Sequence, residues 1–396
     1  MVSKTSSNSL VAMLASGVLL LAGCVASTQD ATQPAGPGTS SGVNLTIWID
    51  NELASTVETV AEQIQQNTGH TLSFVEKDFS TIEAELSAAG DAAPDLFIGS
   101  SEWTDRLASA GLIAALGGSG LSGFDEAVTN GTSFQGQLFG IPYAVENLAL
   151  VCNGERVRNQ PGSANELVEA GFKLVLSPGG DPYTLFPIQS SFGVLPLTLD
   201  ESGDWTEATG FSAARGKEFA NWLSQNRSLI RELDYSSAIT ALVDGVEPCL
   251  VTGPWSIPEL RQRAEFDIRV YEIPSFGGEK VQAFTSARAV FVSAKSKNLD
   301  AAKEAANYFA TEPVQLLIHN QTGRVPAMER VASGLDDELI KGFSKAAAST
   351  LVLPGNNAMQ NTWVPWTKAL NSLMRSDESS DQIWDQLLAE LKTAIG

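Results

Sequence analysis

The sequence is poor in the residues that build metal centres and disulfide frameworks. Its 396 residues include 2 His and 3 Cys. These numbers are too small for a zinc cage or for a fold held together mainly by disulfides. The sequence contains no P-loop and no H-E-x-x-H motif, the signatures of phosphate binding and of zinc proteases. We therefore expect neither a metal ion nor a cofactor.

Basic residues are scarce as well. The chain carries 25 Lys and Arg against 46 Asp and Glu, which gives a net charge of -21. Such a surface repels polyanions, so nucleic acid and anionic lipid are excluded as partners of the folded part. Hydrophobic residues make up 43% and charged residues 18%, as in ordinary globular proteins. The length allows two to three domains.

One extended apolar run stands out, at residues 10–22, and Lys4 is the only charged residue before it. A run of about thirteen residues has the length of a signal peptide and is short of the roughly 20 that span a bilayer. It ends in Leu-Ala-Gly before Cys24, which resembles a bacterial lipobox with a lipidated cysteine as the first mature residue. An ordinary secretory signal cleaved nearby is the alternative.

These features predict an extracytoplasmic protein that is lipid-anchored to the outer face of the cell membrane. Residues 1–23 would form the lipoprotein signal peptide. Residues 24–43 are rich in Ser, Thr, Gln, Pro and Gly and lack apolar periodicity, so we expect a flexible tether.

The body begins with alternating strand and helix patterns. Residues 45–49 and 71–75 are β-branched and apolar, and between them apolar residues recur at helical spacing until Gly69. A second helix over 82–86 and a third strand over 95–98 predict a parallel α/β sheet. Ligands bind at the carboxyl ends of such strands, which directs attention to the residues after 49 and 98. A comparable alternation recurs over 148–273, and 383–391 have the spacing of a packing helix.

Cys152 and Cys249 remain as an even pair after Cys24. Each lies in an apolar, strand-like run of the same part of the chain. In an oxidising compartment this pair favours a disulfide, and two buried free thiols are the alternative.

Acidic and aromatic residues stand at positions that suit sugar binding. A sugar ring has apolar C–H faces and an equator of hydroxyls, so it binds aromatic faces together with carboxylates and amides. Tyr183 and Trp255 lie beside Pro or Gly, which predicts loops, although any aromatic could be a core residue instead. The full candidate set is Glu52, Glu102, Trp103, Glu146, Tyr183, Trp255 and Trp363.

Around these residues the chain resembles the maltose/maltodextrin-type solute-binding proteins of bacterial ABC importers, over about residues 45–394. The resemblance rests on LTIWI, APDLF, FGIPYAVENLAL, GPW and GRVPA, which begin at positions 45, 93, 139, 253 and 323. It implies an α/β, two-lobed periplasmic-binding-protein fold like that of maltose-binding protein, with a hinge and a ligand cleft between the lobes. Lobe 1 would comprise 44–146 plus 290–333, and lobe 2 would comprise 147–289 plus 334–396.

The resemblance also implies roles for the acidic candidates. Glu52 matches an acidic position that binds sugar hydroxyls, and Glu146 matches the cleft glutamate. Glu102 matches the aspartate of an Asp-Arg pair, but Trp103 replaces the arginine and would offer a stacking face instead. In addition, Leu53 stands where a lysine is usual.

Three aromatic residues match the main stacking positions of the family: Tyr183, Trp255 and Trp363. A further stacking tryptophan of the family is Ile257 here. We therefore expect a monomeric, non-enzymatic binding component that captures malto-oligosaccharides and delivers them to a membrane permease. A different oligosaccharide or trehalose is an alternative ligand. A glycoside hydrolase that uses Glu102 and Glu146 as its carboxylate pair is another reading of the same residues.

Overall fold

The computed structural model describes residues 42–117, 121–201 and 203–395. The predicted signal peptide, the predicted lipidation site Cys24 and the predicted tether up to residue 41 lie outside the described residues.

The strands, in chain order, are β1 (Asn44–Ile49), β2 (Thr71–Glu76), β3 (Leu96–Ser100), β4 (Ser133–Phe134), β5 (Gln137–Leu138), β6 (Gly140–Asn147), β7 (Ala149–Asn153), β8 (Leu174–Leu176), β9 (Leu197–Leu199), β10 (Trp205–Thr209), β11 (Ile230–Glu232), β12 (Cys249–Thr252), β13 (Ile268–Tyr271), β14 (Ala283–Val292), β15 (Val325–Pro326) and β16 (Thr350–Val352).

The α-helices are α1 (Ala54–Thr68), α2 (Phe79–Ala89), α3 (Thr104–Ser109), α4 (Glu126–Gly131), α5 (Ala164–Glu169), α6 (Pro182–Ser190), α7 (Ala213–Gln225), α8 (Tyr235–Val243), α9 (Ile257–Arg263), α10 (Leu299–Asn307), α11 (Glu312–Thr322), α12 (Glu329–Gly334), α13 (Glu338–Ala347), α14 (Asn357–Arg375) and α15 (Ser380–Ile395).

The N-terminal strands form the parallel sheet that the sequence predicts. β1 pairs in parallel with β2 on one side and with β3 on the other. β14 then runs antiparallel to both β3 and β6, which extends the sheet to the order β15-β6-β14-β3-β1-β2. This arrangement places the end of β3 opposite Arg288 and the end of β6 opposite Thr285, both on β14.

The helix after β1 is specified locally as well as by packing. Val57, Val60 and Ile64 are spaced for one helical face, and all three are fully buried against the sheet. Gly69 ends the helix in the left-handed conformation at φ 78°, and its N–H donates to Gln65 O. A residue with a Cβ is strained in that conformation, so glycine is the natural stop.

The second alternating region pairs differently from the first. β7 lies between β12 and β13 and is antiparallel to both, whereas β8 and β11 pair in parallel. Alternation in the sequence identifies strands but does not fix their partners, which tertiary packing decides. Cys152 faces Cys249 across the β7–β12 pair, and the two are disulfide-bonded in the structure.

The first sheet and the sheet around β7 pack against separate hydrophobic cores, and β14 contributes to both. Ala289 and Val290 are buried in the core of the first sheet, with Ile47 and Phe97. Phe284, five residues before Ala289, is buried in the core beside β7. The strand therefore passes from one core to the other along its length.

Candidate functional site

The seven candidate residues line one cavity of about 490 Å³. The structure therefore brings together residues that are up to several hundred positions apart in the chain. The complete lining is Glu52, Phe79, Glu83, Ser100, Glu102, Trp103, Arg106, Glu146, Tyr183, Trp255, Ser286, Arg288, Leu353, Gln360 and Trp363.

One side of the cavity is built from the carboxyl ends of the parallel strands. Glu52 follows β1, and Glu102 and Trp103 form a short 3-10 turn directly after β3. Because neighbouring parallel strands end at the same edge of a sheet, these side chains lie together, as the strand pattern predicts.

Trp103 is more enclosed than its expected stacking role requires. Its side chain is 8% exposed, and its six-membered ring lies against Gly99. The ring of Phe79, the first residue of α2, stacks on it with centroids 4.9 Å apart and planes 25° apart. Phe79 thus covers Trp103 in this conformation, and a sugar could stack there only if Phe79 moved. The stacking face at position 103 stays a prediction.

The opposite side carries Tyr183 and Trp255, and the expectation that both lie in loops is wrong. Tyr183 is in the first turn of α6, which Asp181 caps by accepting from the N–H of Thr184. Trp255 lies in a 3-10 turn, Pro254–Ser256. An Asp-Pro pair is itself a helix-start signal, since Asp caps and Pro suits the first helical position. Helical turns hold both rings more firmly than loops would.

Trp363 completes the aromatic side from the second turn of α14. It stacks on the fully buried Trp366, with centroids 5.6 Å apart and planes 15° apart. Phe284 supports the group from β14, at 6.1 Å from the Tyr183 ring and 6.3 Å from the Trp363 ring. Tyr183, Trp255 and Trp363 are partly buried and rest on the core beside β7, whereas Trp103 belongs to the core of the first sheet.

The floor of the cavity is a network of paired charges. Glu146, near the end of β6, is 9% exposed in its side chain and pairs with two arginines. Arg288 Nε donates to Glu146 Oε2 at 3.1 Å. Arg324, 1% exposed, pairs with Glu146 and also with Glu52, whose side chain is 48% exposed. Glu146 is thus held as a buried carboxylate between two guanidinium groups.

Glu102 has a different electrostatic environment. Burial raises its pKa above the ordinary value of 4.5, against the smaller opposing effect of the hydroxyl of Ser100, which donates to Glu102 Oε2. Burial also raises the pKa of the neighbouring Asp50, which Arg288 and Arg324 partly oppose. The two acidic strand ends therefore hold protons more tightly than exposed carboxyl groups do.

Sequence reasoning missed several residues of the lining. The guanidinium of Arg106 donates to the carboxylate of Glu83 and to two carbonyl oxygens, those of Glu102 at 2.9 Å and Gly355 at 3.3 Å. Arg288 is the one charged residue in the apolar strand β14, and that isolation was a readable signal. Phe79 gave no signal, because a phenylalanine at a helix start reads as core. The others are Glu83, Ser286, Leu353 and Gln360, whereas Ser100 lies in the segment after residue 98 to which the strand pattern directs attention.

Residues 59–347 match the family of bacterial extracellular solute-binding proteins. The chain belongs to this family. The maltotriose-binding protein of Pyrococcus abyssi is 24% identical over 307 residues, which cover 73% of this chain and 67% of that protein. A maltooligosaccharide ABC transporter solute-binding lipoprotein of Streptococcus pneumoniae is 22% identical over 371 residues, 88% of this chain and 87% of the relative.

Among solved structures, the Thermus thermophilus maltotriose-binding protein, bound with maltotriose, superposes with a TM-score of 0.80 at 23% identity. The match covers 89% of this chain and 100% of that chain. The solute-binding protein thus has the two-lobed α/β fold of maltose-binding proteins. In the described residues, no group of three or more His, Cys, Asp or Glu is placed to hold a metal ion. None of the helices in that part of the chain is long and apolar enough to cross a membrane.

Proposed function

We propose that the protein is the extracellular substrate-binding component of an ABC importer that captures malto-oligosaccharides and delivers them to a membrane permease. The observation that carries the proposal is a cavity with aromatic rings on one side and carboxylates on the other. Aromatic rings bind the C–H faces of glucose units, and carboxylates accept from the hydroxyls. Relatives that bind maltotriose or maltooligosaccharides support this choice of ligand.

In this proposal the seven residues divide the work. The rings that stack on successive sugar units are those of Tyr183, Trp255 and Trp363. The carboxylates that accept hydrogen bonds from sugar hydroxyls are Glu52, Glu102 and Glu146. Trp103, behind Phe79, provides a further apolar surface. A micromolar ligand requires about 8 kcal/mol of net binding free energy. Several charge-assisted hydrogen bonds and stacked faces can supply that amount without a metal ion.

Closure of the two lobes around the sugar would complete the site. The expected crossings lie in β6 near residue 146, in β14 near 290 and in α12 near 333. Ile318 packs with the core of the first sheet, whereas Val325 packs with a cluster beside β7 and β12. Met328 still bridges to Phe124 and donates its N–H to Gln315, both in the first lobe, and Ala332 then packs with the cluster beside β7 and β12. This supports a third crossing at about residues 328–332, near the expected position. The passage of β14 between the two cores supports the second crossing, and the change from Tyr143 in the first core to Leu148 in the core beside β7 supports the first.

A different oligosaccharide, or trehalose, is the second candidate for the same transport role. It is favoured by Ile257, which is fully buried where the family resemblance implies a stacking tryptophan, and by the enclosure of Trp103. One aromatic face fewer than in the family, with no accessible new face at Trp103, would suit a shorter or differently linked sugar.

Calorimetric titration of residues 25–396 with maltose, maltotriose, maltotetraose, a cyclodextrin and trehalose tests the proposal. We expect saturable binding that tightens from two glucose units to three or four. Binding of trehalose alone would favour the second candidate. No response to any of these sugars would overturn malto-oligosaccharides and trehalose as ligands and leave a different oligosaccharide. Maltoheptaose incubated with the protein should stay intact, since shorter products would identify a hydrolase.

We also propose that Cys24 is lipidated and anchors the monomeric protein to the outer face of the cell membrane. The support is the lipobox-like Leu-Ala-Gly-Cys sequence together with a relative that is itself a lipoprotein. Expression in a bacterium fed a labelled fatty acid should label the wild-type protein and leave the Cys24→Ala variant unlabelled. Equal labelling of both would refute the site, and absence of label from both would favour the ordinary secretory signal.

A further inference from the structure

The arginine missing at position 103 has a counterpart elsewhere in the cavity. The family resemblance implies an arginine beside Glu102, and Trp103 stands in its place. Two arginines line the cavity in the described residues, Arg106 and Arg288. The guanidinium of Arg106 is occupied by Glu83 and by backbone carbonyls. Arg288 is therefore the arginine to consider as a ligand donor.

The position of Arg288 is set by its strand and by an irregularity in it. Arg288 faces Ser100 on β3 and Ala144 on β6, and the register with β6 shifts between Arg288 and Ala289. Such bulges redirect side chains and are common beside functional sites. Arg288 thus lies opposite the last residue of β3, two positions before Glu102, and near Glu146 of β6.

The guanidinium of Arg288 is held on two sides and incompletely used. Its central carbon lies 3.3 Å from the centroid of the Phe79 ring, and its Nε donates to Glu146. The side chain is 11% exposed. Its Nη1 is buried and has no hydrogen-bond partner in the part of the chain that the structure describes. A buried donor without a partner lowers stability. A ligand oxygen that accepts from it would therefore gain more binding free energy than an oxygen that only displaces water from an exposed donor.

We infer that Arg288 is a specificity-determining residue that donates through its terminal nitrogens to an oxygen of the bound sugar, and so supplies from β14 the fork that is absent at position 103. This inference rests on the proposed function, because the oxygen acceptor is taken to belong to an oligosaccharide. Phe79 and Glu146 fix the guanidinium plane before the sugar arrives. A preorganised fork loses little conformational entropy when it binds.

The test begins with maltotriose affinity of the wild-type protein and of the Arg288→Lys and Arg288→Met variants, measured by calorimetry. Lysine keeps a positive charge near Glu146 but has one nitrogen, which cannot serve Glu146 and a sugar oxygen in the same geometry. We expect about tenfold weaker binding for lysine and a larger loss for methionine, as the removal of a charged donor predicts. Unchanged affinity of the lysine variant would overturn the inference.

A double-mutant cycle separates direct donation from mere support of Glu146. If Arg288 contacts the sugar, Arg288→Lys should weaken binding by a similar factor in the wild type and in the Glu146→Gln background. If Arg288 acts only by holding Glu146, Arg288→Lys should not weaken binding further in the Glu146→Gln background, and that result would overturn direct donation.

Arg231 provides a matched control for loss of an arginine–glutamate pair. Its Nε lies 2.9 Å from Oε1 of the fully buried Glu247, and neither residue lines the cavity. Arg231→Lys should change the thermal midpoint and leave the maltotriose affinity unaltered. Maltotriose failing to bind the wild type would overturn the proposed ligand class together with this inference, whereas binding that is insensitive to Arg288 would overturn this inference alone.

Discussion

Glu146 and Glu52 share the partner Arg324 but differ in burial, and burial should decide how much each pair stabilises the fold. The Glu146 side chain is 9% exposed and has a second partner in Arg288, whereas the Glu52 side chain is 48% exposed. Glutamine in either place preserves shape and removes the charge. Comparison of the two variants therefore contrasts a buried carboxylate that has two arginine partners with a half-exposed carboxylate that has one of them.

The expected losses can be taken from this geometry. Glu146→Gln leaves two largely buried guanidinium groups short of a countercharge, and breaking a buried pair costs about 3–5 kcal/mol. Because Arg324 keeps Glu52, we expect the lower end of that range, about 3 kcal/mol. Glu52→Gln removes a half-exposed partner while Glu146 still neutralises Arg324, so the loss should stay below about 1 kcal/mol.

Urea unfolding at neutral pH measures both free energies of unfolding, and calorimetry with maltotriose measures the effect on binding. Each variant should bind maltotriose more weakly, by roughly 1–3 kcal/mol, if its carboxylate accepts sugar hydroxyls. Equal destabilisation of the two variants, or a larger loss for Glu52→Gln, would refute the argument from burial. Unaltered affinity in Glu146→Gln would assign that residue to support of the fold alone.

Three further predictions concern other parts of the molecule. The Cys152–Cys249 disulfide joins residues that are 97 positions apart, and its reduction should lower the free energy of unfolding by up to about 4.7 kcal/mol. Two titratable thiols in the denatured, unreduced protein would contradict the bond. Burial raises the pKa of Glu102 above its ordinary value of 4.5, so the folded state binds this proton more tightly than the unfolded state does. The protonated carboxyl therefore stabilises the fold fully at pH values below 4.5, and this stabilisation is lost as the pH rises through the folded-state pKa. Glu102→Gln should accordingly gain stability relative to the wild type from about pH 4 to pH 8 in urea titrations, and a constant difference would show that burial does not perturb this carboxyl. Trp255→Ala should weaken maltotriose binding by roughly 1–3 kcal/mol. The control is Trp222→Ala: Trp222 is half-buried and lies outside the cavity, so this variant should lower the free energy of unfolding and leave the affinity unchanged. A loss of stability without a loss of affinity in Trp255→Ala would make Trp255 a core residue.

Much of the first sheet could be predicted because its signals are local. The strands near 45–49, 71–75 and 95–98 are short apolar runs, and Gly69 is a residue whose freedom at positive φ marks a helix end. Carboxylates directly after two strands could be placed at one sheet edge for the same reason. The loop assignments of Tyr183 and Trp255 failed because Pro and Gly were read as breakers where Asp-Pro and Gly-Pro begin helical turns.

The sequence by itself determined the order of strands and helices in the first sheet, the acidic character of the protein, and the residue types that a sugar site needs. Only the tertiary structure decided that Phe79 covers Trp103, that β7 pairs antiparallel on both sides, and that Arg288 and Arg324 enclose Glu146. The reason is physical: propensity and periodicity act over a few residues, whereas these contacts join residues that are 24 to 178 positions apart in the chain. Local rules fix which side chains are available, and strand pairing fixes which of them meet.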